Sequence, residues 1–78
     1  MVVRPVNFWD DKLLLAFGKN LRIIRKRLNF TQEELSYILE ISLSQIARIE
    51  TGKINPTLCT IFTIAKTLKV DPRELVNL

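Results

Sequence analysis

The sequence predicts an all-α fold, a compact bundle of five short helices. Three observations predict it. Leu14, Phe17, Leu21, Ile24 and Leu28 recur at steps of three and four, the period of one helix face. TQEE at Thr31 and SLSQ at Ser42 have the spacing of capping boxes, in which a hydroxyl and a Glu or Gln three residues later satisfy each other's backbone amides. Asp71-Pro72-Arg73-Glu74 combines a cap, a proline at the first helical position and an early acid, the grammar of a helix start.

Size and composition set the frame. A chain of 78 residues makes one domain, near the lower end of what a single core stabilises, where dimerisation would help. The hydrophobic content of 47% is ample for a core, but no apolar run approaches the roughly 18 to 20 residues that span a bilayer, so no membrane partner is expected. The opening MVVRPVNFWDD lacks the apolar region and cleavage site of a secretory signal, so a cytoplasmic location is expected. One cysteine, Cys59, cannot form an internal disulfide, which fits a reducing compartment.

Charge points outward to a partner. Twelve basic residues against eight acidic give +4 and a pI near 9.6, which suits a polyanion. Lys19, Arg22, Arg25, Lys26 and Arg27 follow one another without an intervening acid. With no histidine, no CxxC pair and only two glycines, metal sites, imidazole catalysis and phosphate-cradling loops have almost no raw material. The chain is therefore expected not to be an enzyme and to need no cofactor.

In chain order, residues 1–9 read as an arm or the start of the first helix, and residues 10–78 as the domain. Asn7 or Asp10 can cap the first helix, and Asp10 with Asp11 suits its positive end. Phe8, Trp9 and Leu13 form a separate apolar group that either extends the core or makes a dimer contact. Lys19, Arg22, Lys26 and Arg27 lie mostly off the apolar face, where the ordinary reading is a solvated helix end. Asn29 suits the positive φ of a helix stop. The second helix runs from about Gln32 to Leu39, with Leu35, Ile38 and Leu39 inward. A sharp turn about Glu40 and Ile41 leads to the third, whose anchors are Ile46 and Ile49 and whose opposite side carries Ser44, Ala47 and Arg48, with Leu43 on the flank. Small residues admit the backbone close to a surface, and one guanidinium can bond a guanine bidentately. Gly52 ends this helix. Thr57 caps a fourth with a broad stripe of Leu58, Ile61, Phe62, Ile64, Ala65 and Leu68, and Cys59 is expected to pack with it. Leu75, Val76 and Leu78 make the fifth a short apolar plug.

LRIIRKRLNFTQEEL, ISLSQIARIETGKINPT and IAKTLKVDPREL, in this order and spacing, resemble the Cro/C1-type (XRE) helix-turn-helix regulators of bacteria and phages, over about Leu21 to Leu75. The resemblance implies a lambda-repressor-like five-helix bundle with its helix-turn-helix motif at 32–51 and its third helix in the major groove of double-stranded DNA. It implies base reading by Ser42, Leu43, Ser44 and Arg48. It places Gln32, Gln45, Lys53 and Asn55 at the DNA backbone and makes Arg25 and Glu50 a structural ion pair. The chain departs from the family at Glu40, where glycine is usual, and at Leu43, which either meets a thymine methyl or supports the helix start.

The expected function is a sequence-specific transcriptional regulator, of repressor or controller type, binding a two-fold symmetric operator as a homodimer. The competing reading is an interaction scaffold or antitoxin-like module that binds an unidentified protein partner through the Phe8, Trp9, Leu13 group or the fifth helix.

Overall fold

The computed structural model describes residues 9–78, and within them the chain forms α1 (Asp11–Arg27), α2 (Gln32–Leu39), α3 (Leu43–Glu50), α4 (Leu58–Leu68) and α5 (Pro72–Leu75), with no strand. Asn7 and Phe8 lie outside the described residues. Each start has a local cause. The side chains of Asp10, Thr31, Ser42, Thr57 and Asp71 accept from free amides of the first turns, and the Thr31/Glu34 and Ser42/Gln45 boxes are both closed.

The stops of α1 to α4 share one geometry. Asn29, Glu40, Gly52 and Lys69 adopt left-handed backbone, at φ 62, 56, 71 and 56°. The amide after each reaches back to a carbonyl five residues earlier: Phe30 to Arg25, Ile41 to Ser36, Lys53 to Arg48 and Val70 to Ala65. This is the Schellman stop, which satisfies carbonyls that the helix leaves open and usually turns an apolar residue back onto the helix. Phe30, Ile41 and Val70 are such residues and pack on the core. Lys53 is exposed.

The core gathers Leu21, Leu35, Ile46, Ile64 and Leu75, all fully buried and one from each helix. α1 packs on α3 and α5, α2 on α3 and α4, and α4 on α5. Gly18 permits the α1–α3 contact: a methyl there would sit 2.5 Å from the carbonyl oxygens of Ile49 and Glu50.

Several apolar residues expected inside lie outside. Leu28, past the end of α1, Ile38 on α2, Leu58 and Phe62 on α4, and Val76 and Leu78 after α5 are all exposed. The bundle covers only one flank of α4, through Ile64, Ala65 and Leu68, so a stripe as wide as Leu58 to Leu68 cannot all be inside. Cys59 falls on the uncovered flank and is exposed, contrary to its expected packing. Of the C-terminal plug, only Leu75 is buried.

Candidate nucleic-acid interface

α3 has two sharply different sides. Ile46 and Ile49 are 0 and 2% exposed and seat the helix on the core. Ser44 and Arg48 face away and are exposed, Ala47 is half-buried, and Leu43 is exposed on the flank. The Arg48 side chain has no hydrogen bond or ion pair among the described residues, so its guanidinium is available to a ligand.

The ends of α3 are fastened. At its start the Gln45 amide donates to Ser42 Oγ at 3.1 Å, and the Ser42 amide donates to Gln45 Oε1 at 3.3 Å. The Ser42 hydroxyl hydrogen and the Gln45 side-chain NH2 remain to meet a partner. At its end Glu50 is buried, and its carboxylate accepts from Arg25 Nε at 2.6 Å and Arg25 Nη2 at 3.0 Å. Arg25 Nη1 donates to the Phe30 carbonyl at 2.8 Å. The Glu50 hydrogen bond raises the Arg25 pKa against the opposing effect of burial, so the guanidinium stays charged. One fork of guanidinium bonds thus joins the end of α1, the α1–α2 turn and the end of α3.

Gln32 joins the same knot, its Nε2 donating to Glu50 Oε1 at 3.0 Å. Its expected place at the DNA backbone thus comes with a side-chain donor already used inside the protein. What it keeps is the second Nε2 hydrogen, its side-chain oxygen and the first amide of α2, a position where helix amides favour phosphate. Lys53 is exposed on the loop after α3, beside Asn55, which is exposed and has an intramolecular partner. Gln32, Arg25, Glu50 and the inner side of α3 are therefore joined directly, whereas Ser44, Arg48 and Lys53 are placed by the backbone alone. Sequence reasoning missed Gly18 and the Gln32–Glu50 bond. It had a signal for Lys53: a charged residue at the Schellman position that is apolar after α1, α2 and α4. Among the described residues no group of His, Cys, Asp or Glu could hold a metal, and no helix is long and apolar enough to cross a membrane.

A short helix seated on its apolar side, preceded by another across a left-handed turn and presenting small and basic residues outward, defines a helix-turn-helix, the class of module that reads DNA through its second helix. The family model described as helix-turn-helix matches residues 21–75. The chain belongs to the Cro/C1-type (XRE) helix-turn-helix family of DNA-binding transcriptional regulators. It is similar to the control protein C.BamHI of Bacillus amyloliquefaciens, 34% identical over 68 residues that cover 86% of this chain and 84% of that protein. Its fold is similar to that of the restriction-modification controller protein C.AhdI of Aeromonas hydrophila, with TM-score 0.76 and 34% identity over 80% of this chain and 94% of that one. The hypothetical transcription factor NHTF from Neisseria shares the fold at TM-score 0.76 and 23% identity, over 97% of this chain and 88% of that one.

Proposed function

We propose that the protein is a controller-type transcriptional regulator that binds a two-fold symmetric operator as a homodimer, with α3 in the major groove. The observation that carries this reading is the division of α3 into a side held by Ile46, Ile49 and Glu50 and a side that offers Ser44 and Arg48. In this reading Arg48 bonds a base edge, Ser42, Leu43 and Ser44 meet the bases beside it, and Gln45 borders the backbone. The α2 start at Gln32 and the loop through Lys53 and Asn55 fix register on phosphates. Likeness to two controller proteins over most of this chain supports the controller role.

A single module reads few base pairs, and two copies with reading helices about 34 Å apart match one turn of DNA. In this reading the second copy seats on a groove of about 220 Å3, lined by Asn55 and by the apolar residues Leu13, Leu14, Phe17, Pro56, Ile61, Val76 and Leu78.

Selection of bound sites from a random DNA pool tests the proposal. The expected product is an inverted repeat bound by two chains, with Arg48→Ala costing about 1–3 kcal/mol of discrimination at one base position per half-site. Selected sites without symmetry, or binding indifferent to Arg48→Ala, would refute it.

A further inference from the structure

We propose that the outer stripe of α1 is a second, sequence-independent phosphate-binding track, which extends the contact with duplex DNA beyond α3 and its flanking loops. The inference rests on the DNA-binding reading above.

Lys12, Lys19, Arg22 and Lys26 are all exposed. At about 100° per residue they fall within an arc of about 80°, and at about 1.5 Å per residue they run for about 21 Å. The stripe carries charge without counter-charge. No acid occurs from Lys12 to Arg27, and none of the four makes an ion pair among the described residues. An ordinary solvated helix surface mixes signs, because like charges three and four residues apart destabilise a helix. Here that repulsion is left for an external anion to offset.

Neighbouring elements place the stripe beside the reading helix. Asn20 Nδ2 donates to the carbonyls of Glu74 and Leu75, at 2.7 and 2.6 Å, which fixes α5 on one side of α1. Gly18 and Arg25 meet the end of α3, which fixes α3 on the other. Going round α1 from α5 through the core to α3, the stripe comes next, on the side away from α5. Gly52 packs against the backbone of Leu15, within the stripe, so the loop that carries Lys53 runs alongside it. The cations therefore continue the candidate interface and do not form an isolated patch. Their spacing reads no bases; point charges on flexible stems suit the phosphate backbone of any sequence.

The test compares two triple variants, each lowering the net charge from +4 to +1: Lys19→Gln/Arg22→Gln/Lys26→Gln on the stripe, and Lys66→Gln/Lys69→Gln/Arg73→Gln on the α4–α5 side. Affinity for a random-sequence duplex and for a selected duplex is measured between about 50 and 200 mM salt. Each lost phosphate contact flattens the slope of log K against log salt by about 0.9, so the stripe variant should lose about 2 to 3 from the slope and the control less than about 1. The ratio of selected to random affinity should stay at the wild-type value. Equal slopes for the two triples would overturn the track while leaving the wild type a DNA-binding protein. A wild type without affinity for any duplex would overturn the function and the track together.

Discussion

The Arg25 guanidinium and the Glu50 carboxylate meet at 2.6 Å with side chains 7 and 2% exposed, which makes them the buried ion pair of the domain's described part. Removing one partner strands the other charge inside. Glu50→Ala should destabilise the fold by about 3–5 kcal/mol in urea titrations. The double variant Arg25→Met/Glu50→Leu should lose less than Glu50→Ala alone, because neither charge is then left buried. A double variant as unstable as the single would show that the bonds to Phe30 and Gln32 dominate.

Gly18 stands where helix propensity and packing oppose each other. Alanine gains about 1 kcal/mol of propensity in a helix interior. Its methyl would meet two backbone carbonyl oxygens of α3 at 2.5 Å, and backbone cannot step aside as a flexible side chain can. Gly18→Ala should therefore lower stability, by about 1–3 kcal/mol net, and should weaken DNA binding beyond that by shifting α3. Thermal unfolding and duplex titration read the two effects separately.

Glu40 holds φ 56 and ψ 37°, a left-handed conformation that costs a residue with a Cβ about 1 kcal/mol. Glu40→Gly should stabilise the protein by up to about that amount, with the Ile41 to Ser36 bond of the stop retained. Urea midpoints decide; a loss of stability would mean that the relieved strain is smaller than the Glu40 side-chain contribution and the entropy that glycine adds to the unfolded chain together.

Cys59 lies exposed at the rim of a shallow groove with Leu39, Ile41, Thr60 and Thr63. In the native protein it should react fully with a thiol reagent in the absence of denaturant. Cys59→Ser should change stability by less than about 0.5 kcal/mol. Protection of the thiol until unfolding would place it inside.

Local chemistry made the helix starts legible, because a cap or capping box needs only neighbours a few residues apart, as at Thr31, Ser42, Thr57 and Asp71. The stop at Lys69 was not legible, since neither glycine nor asparagine marks its left-handed backbone. Burial was legible where one narrow face repeats, as at Leu14, Phe17, Leu21 and Ile24. It failed at Leu58, Phe62 and Cys59, because apolar spacing cannot say which flank of a wide stripe the small bundle reaches. At the candidate interface the split of α3 followed from its period. The bond from Gln32 to Glu50 did not, because it joins residues 18 apart in sequence whose approach only the assembled bundle creates.

The division of α3 bears on how a lineage of such proteins can diverge. Ser44 and Arg48 are exposed, while Ile46 and Ile49 are buried in the core and Glu50 is buried against Arg25 and Gln32. Replacements at the outward positions can therefore accumulate without an unfolded intermediate along the way. In the proposed reading, Ser44 and Arg48 carry recognition while Ile46, Ile49 and Glu50 hold the fold, separate residues of one eight-residue helix.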